Sequence, residues 1–265
     1  MAALSWKNSK SALPIAVAVS TGDAKAERKG VVYASENFHH AEDAKDMYGV
    51  DHSKERSLEP PAGCQFEPVV ASKPGGKGRD VIAVVGPSGA GKSFVIRMMA
   101  ENYRRQYPDR PRFLLSSLAK DDTLDAVQLT RVDHDVLAAD PPDDIAPWKD
   151  SLVIIDDVEG FAKPKREVVH ALQDLIATQG RHEHTTLLRA QHVLDDRVIN
   201  RYLLHEATAF IFFPAASGSI VPMLKKYAGL TKARAEEVSA LKERWVLVHH
   251  TAPKYILTPH SVFIL

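Results

Sequence analysis

Apolar and polar positions change period in regular blocks along the last two-thirds of the chain. Asp80–Val85, Arg112–Ser116, Ser151–Ile155, Thr185–Ala190 and Ala209–Phe213 are short, largely apolar runs that predict five strands. Runs that are apolar throughout, rather than alternating, suit a parallel sheet buried on both faces. The segments between them carry the helical period. Lys92–Gln106 follows a Gly-rich turn, and Lys165–Thr178 places Val168, Val169, Leu172, Leu175 and Ile176 on one stripe. Val193–His205 is expected to be helical too. Ser219–Tyr227 and Lys232–Lys242 predict two shorter helices, with Gly229 placed to end the first and Thr231 to N-cap the second. Trp245–His250 and Tyr255–Thr258, around Ala252-Pro253, predict a C-terminal β-hairpin. Strands alternating with helices make the fold class α/β, a mainly parallel sheet with helices on both faces.

The first 75 residues read differently. Met1–Leu13 is mostly small and polar, and Gly22–Pro61 is dominated by charge, His and small residues. Ile15–Val19, Val31–Tyr33 and Phe66–Val70 are the strand-like pieces, and Pro60-Pro61 and Pro74-Gly75-Gly76 punctuate the stretch. Residues 1–75 are therefore expected to be an N-terminal extension with one or two added strands, partly mobile. Residues 76–265 are expected to form the principal domain.

Composition narrows the class without naming it. The chain has 265 residues, with 45% hydrophobic and 26% charged positions, ordinary for a soluble protein able to bury its own core. Formal net charge is zero, so any surface for a polyanion has to be local. Cys64 is the sole cysteine, which excludes an intrachain disulfide and fits a reducing compartment. No apolar run approaches the ~20 residues of a transmembrane helix. The N-terminus also lacks the pattern of a secretory signal. A soluble intracellular protein is the expectation.

Gly86-Pro87-Ser88-Gly89-Ala90-Gly91-Lys92-Ser93 matches G-x-x-x-x-G-K-[ST] in full, between an apolar strand and an amphipathic helix. This is the Walker A context: glycines let backbone N–H groups face phosphates, and the helix N-terminus adds positive potential. The pattern predicts ATP binding, with Lys92 on the β- and γ-phosphates and the Ser93 hydroxyl on Mg²⁺. Leu152-Val153-Ile154-Ile155-Asp156-Asp157 is an apolar strand ending in two carboxylates, at the sheet edge where ligands bind in open α/β folds. Asp156 is the candidate Mg²⁺ carboxylate and Asp157 the candidate base, with Glu159 as the alternative. Gln191 closes the next strand and is a candidate to contact the γ-phosphate or the attacking water. The histidines at 39–40, 182/184 and 249–250 lack Cys or carboxylate partners at metal-site spacing. The basic start Lys163–Arg166 reads as a solvated helix end or as a surface for DNA.

The order of these motifs, with the Thr178-Gln179-Gly180-Arg181-His182 turn before the strand ending in Gln191, resembles the FtsK/HerA superfamily. It is most similar to the poxvirus-type DNA-packaging ATPases of nucleocytoplasmic large DNA viruses. Asn200–Pro214, closing in Ala209-Phe210-Ile211-Phe212-Phe213-Pro214, continues the likeness, which covers about residues 79–265. One departure is Asp157, where cellular members usually carry Glu. The resemblance implies a RecA-like P-loop NTPase of the ASCE division, with the Gln191 strand between the phosphate-loop and Asp156 strands. It implies an ATP-hydrolysing double-stranded DNA translocase that packages a viral genome as a homo-oligomeric ring. Viral capsid or membrane proteins become candidate partners, and the host cytoplasm or virion the setting. Arg181 is then the candidate arginine finger acting on a neighbouring subunit, with Arg197 and Arg201 as rivals. A nucleotide kinase or a low-turnover nucleotide switch remain the alternatives. The acidic, Pro-rich stretch Leu118–Lys149, where a kinase would carry an Arg-rich lid, speaks against the first.

Overall fold

The computed structural model describes residues 3–8, 12–21, 27–35, 56–71, 78–193, 200–215 and 220–265. The chain divides into two compact units, Arg79–Ser217 and a second made of Met1–Gly78 with Gly218–Leu265.

In the split unit, strands β1 (Ala3–Ser5), β2 (Leu13–Ser20), β3 (Arg28–Ser35) and β5 (Cys64–Pro68) form an antiparallel sheet in the order β1-β3-β2-β5. β2 buries Ile15–Val19 at every position, and Trp6 packs on Phe66 with ring centroids 5.9 Å apart. A further strand, β4 (Ser57–Leu58), belongs to the C-terminal ribbon described below. The expected one or two added strands are thus five. β1 and β4 span three and two residues, too short to show a period in sequence. Pro74-Gly75-Gly76 and His39-His40 lie outside the described residues, as do residues 22–26 and 36–55 of the charged stretch.

The continuous unit contains β6 (Val81–Val85), α1 (Lys92–Gln106), β7 (Arg112–Ser116), β8 (Thr130–Arg131), α2 (His134–Ala139), β9 (Leu152–Asp156), α3 (Lys163–Gln179), β10 (Thr186–Gln191), α4 (Arg201–Glu206) and β11 (Ala209–Phe212). Its strands run in the order β11-β6-β10-β9-β7-β8, and each neighbouring pair is parallel. β10 therefore sits between β6 and β9, the order implied by the family likeness. Every residue of β6, β9, β10 and β11 is buried, so both faces of these central strands are covered. The α/β class follows from this topology.

Arg79 fastens one edge of this sheet. Its guanidinium donates to the carbonyls of Ile176 (2.9 Å) and Ala177 (2.6 Å) near the end of α3, and of Thr185 (3.1 Å) before β10. Cations complement the partial negative charge of a helix C-terminus, so one side chain locks α3 to the start of two strands.

The split unit is completed by α5 (Val221–Lys226), α6 (Lys232–Ser239), β12 (Val246–His249), β13 (Tyr255–Leu257) and β14 (Val262–Ile264). Gly229 has φ +66°, and Thr231 Oγ1 accepts the Arg234 N–H at 3.3 Å, so both helix-boundary signals act where the sequence places them. The expected hairpin is present as β12–β13, and β14 and β4 extend it to four antiparallel strands. Among the described residues no helix is long and apolar enough to cross a membrane.

Candidate active site

The site residues converge at the C-terminal edge of the parallel sheet, within Arg79–Ser217. The loop leaving β6 turns through Gly89 (φ +76°) and Gly91 (φ +105°), a region that side-chain-bearing residues rarely adopt. Gly91 is followed at once by α1, so the helix N-terminus opens directly onto the loop. Lys92 is 8% exposed, and its Nζ donates to the carbonyls of Gly86 (2.9 Å) and Pro87 (3.1 Å). Burial lowers the Lys92 pKa, while Asp156, Asp157 and Glu159 oppose that shift by favouring the cation.

Ser93 Oγ donates to Asp156 Oδ2 at 3.3 Å, and the Asp157 N–H donates to Asp156 Oδ1 at 2.9 Å. Asp156 is 2% exposed. Its carboxyl is pushed upward by burial and then by the neighbouring Asp157, against the hydrogen bonds from the Asp157 N–H and Ser93 and the charge of Lys92. A hydroxyl from the first turn of α1 and a carboxylate from the end of β9 are hard oxygen donors, and this pair fits Mg²⁺. Asp157 adopts the left-handed conformation (φ 48°), and its carbonyl accepts the Ser117 hydroxyl at 2.6 Å. That turn separates its side chain from the buried Asp156 and leaves it partly exposed, 3.9 Å from His192 Nε2.

Gln191 ends β10 beside Val85, and its carbonyl accepts the Gly86 N–H at 3.0 Å. Its side chain is buried. Nε2 donates to Asn200 Oδ1 at 2.8 Å, and Oε1 has no hydrogen-bond partner. Arg181 is not brought to this site. It is exposed, its Nε donates to His182 Nε2 at 3.2 Å, and it is close enough to Arg79 to disfavour that cation. The turn therefore lies at the edge where β10 begins, about 20 Å of strand away from Gln191. Of its rivals, Arg201 opens α4 and Arg197 lies outside the described residues.

Three residues near the site escaped sequence reasoning. His192 Nδ1 lies 3.5 Å from Lys92 Nζ, so its ring stands between that amine and Asp157. Arg189 is 1% exposed in the middle of β10. Its Nε donates to Gln173 Oε1 at 2.9 Å, Nη1 donates to the Ala190 carbonyl, and Nη2 lies 3.7 Å from Glu159 Oε1. Asn200 was read inside a helix from Val193; it stands directly before α4, and residues 194–199 lie outside the described residues. No local sequence signal marks these positions, because each acts through partners distant in the chain.

A parallel sheet with a glycine-rich phosphate loop, and with Ser93, Asp156 and Gln191 around it, defines an α/β protein of the P-loop NTPase class. No family model matches the chain. It is 30% identical over 182 residues to uncharacterized protein V3 of Sputnik virophage, covering 67% of this chain and 74% of that protein. The chain belongs to the family of this virophage protein. Among solved structures it is similar to the genome packaging NTPase B204 of Sulfolobus turreted icosahedral virus 2 in complex with AMPPCP. That match has 15% identity, covers 68% of this chain and 98% of that one, and has a TM-score of 0.45. The pCW3 conjugation coupling protein TcpA, with ATPγS, matches at 13% identity over 92% of this chain and 77% of that one, with a TM-score of 0.47.

Proposed function

We propose that the protein is an ATP-hydrolysing motor that moves double-stranded DNA, packaging a viral genome as a homo-oligomeric ring. The observation that carries this reading is the meeting of Lys92, Ser93, Asp156 and Gln191 at one end of the parallel sheet. The motif order shared with FtsK/HerA ATPases and the kinship with a virophage protein support the finer parts of it.

In this account Lys92 exchanges its two loop carbonyls for the β- and γ-phosphates of ATP. Ser93 and Asp156 would hold Mg²⁺, which would supply charge neutralisation at the phosphates. Gln191 and Asp157 orient the attacking water. As its oxygen bonds to the γ-phosphorus and the bond to ADP breaks, Asp157 takes the proton. Arg181, far from its own nucleotide, serves a neighbouring subunit.

The test is hydrolysis measured with and without duplex DNA across a salt series. Stimulation without sequence preference, fading as salt rises, is expected, because phosphate contacts are lost through counterion competition. Turnover that ignores every duplex but requires a small acceptor would overturn the motor in favour of a phosphotransferase.

A further inference from the structure

We infer that Asn200 is a positioning residue that turns the Gln191 carboxamide so that its oxygen, and not its NH₂ group, faces the reacting γ-phosphate. The inference rests on the ATPase reading above and deepens it. It assigns Gln191 one role: accepting a hydrogen bond from the attacking water.

The backbone of Gln191 is fixed first. Its Cα is in register with Val85, and its carbonyl accepts the N–H of Gly86, the first residue of the phosphate loop. The side chain, 3% exposed, therefore has little freedom beyond rotation of its amide. A primary amide offers two donor hydrogens on nitrogen and two lone pairs on oxygen. Asn200 Oδ1 accepts from Gln191 Nε2 at 2.8 Å, which directs Oε1 to the other side of the amide. Oε1 is buried and has no partner, and a buried acceptor in that state is ready for a donor.

Asn200 is not engaged as a helix cap. It stands at the N-cap position of α4, where an Asn side chain usually accepts a backbone N–H of the first turn. Here it makes no capping hydrogen bond, and it is 7% exposed. Its Oδ1 is held by Gln191 instead. Water donates hydrogen bonds, whereas phosphate oxygens only accept them. An amide oxygen facing the reaction therefore selects the water.

The experiment compares steady-state ATP hydrolysis and ATP-analogue binding in the wild type, Asn200→Asp and Asn200→Leu, with thermal melts as a folding control. Aspartate offers only acceptors, so it holds Nε2 as asparagine does, and it is an equally good N-cap residue. Asn200→Asp is expected to lose some kcat to its added charge but to turn over well above Asn200→Leu. Asn200→Leu is expected to lose roughly a hundredfold in kcat, the scale of a small misplacement, while still binding the analogue normally. If Asn200→Asp folds, binds the analogue and fails to turn over, the amide faces the other way and the inference is overturned. Wild-type turnover by Asn200→Leu overturns it equally. Should Asn200→Leu not fold, Asn200→Asp decides alone. A wild-type chain that binds ATP and never hydrolyses it removes the ATPase reading and this role with it. An active wild type with indifferent variants removes only this role.

Discussion

Arg189 and Glu159 form a one-sided charge pair: Nη2 lies 3.7 Å from Oε1, the arginine side chain is 1% exposed and the glutamate 53%. Burial lowers the Arg189 pKa, and Glu159 is the foremost group opposing that shift, ahead of Asp156 and Asp157. Glu159 is thus engaged as the counterion of a cation buried in the central sheet. Asp157 contributes less to holding that cation.

This separates the two candidate bases. Asp157→Asn should bind ATP, keep its melting temperature and lose hydrolysis, because the amide cannot take the water's proton. Glu159→Gln should retain hydrolysis and lose roughly 1–2 kcal/mol of stability, a cost limited by the solvent around the exposed carboxylate. The reverse pattern, read by parallel rate and melting measurements, moves the base to Glu159.

His170, on α3, predicts a pH dependence of stability. Burial, and then the nearby Arg189 charge, lower its pKa from the ordinary 6.5 to about 4, and its Nδ1 is buried without a partner. The native ring stays neutral where the unfolded one protonates. Its contribution is therefore complete above about pH 6.5 and is lost as pH falls towards 4. After discounting for partial exposure the loss is roughly 1–2 kcal/mol. Denaturant melts of wild type and His170→Gln across that window should converge on acidification. Parallel curves would contradict the assignment.

Arg79 should matter for folding out of proportion to its position at a strand entrance. Arg79→Ala removes three charge-assisted hydrogen bonds and leaves carbonyls near the end of α3 short of a donor. A loss of about 2–3 kcal/mol is expected. Arg79→Lys should recover only part of it, since an ammonium cannot fork between the two chain segments. Equilibrium unfolding of the three proteins checks both statements.

The ring is tested through Arg181. Arg181→Ala should bind ATP and hydrolyse it some three to five orders of magnitude more slowly, the scale of a lost arginine finger. Mixing it with Lys92→Ala should restore part of the activity, because a mixed ring contains intact sites built from one good Lys92 and one good Arg181. Co-assembled mixtures without rescue would return Arg181 to the status of a surface turn residue.

Much of the fold and the loop-centred half of the site were legible because the signals are local. The strand before Gly86, the Gly89 and Gly91 turn and the start of α1 follow one another in the chain, and Asp156 and Gln191 each end an apolar strand. The place of β10 between β6 and β9 was expected from the family resemblance. β1, β4 and β14 were missed because two or three residues cannot display a period. Arg189 breaks an apolar run and reads locally as an outward-facing position. Gln173 and Glu159, on other elements, join the Ala190 carbonyl in making its burial tolerable. Asn200 looks like any helix residue until Gln191 is placed against it.

The central claim is that the loop around Lys92 supports Mg²⁺-dependent ATP turnover. The most direct measurement is phosphate release by the purified wild type and Lys92→Ala, with Mg²⁺ and with excess chelator, alongside thermal melts of both proteins. The account predicts release by the wild type only with Mg²⁺, loss of release in Lys92→Ala, and folded protein in both cases. Equal release by a folded Lys92→Ala, or release unaffected by the chelator, would contradict it.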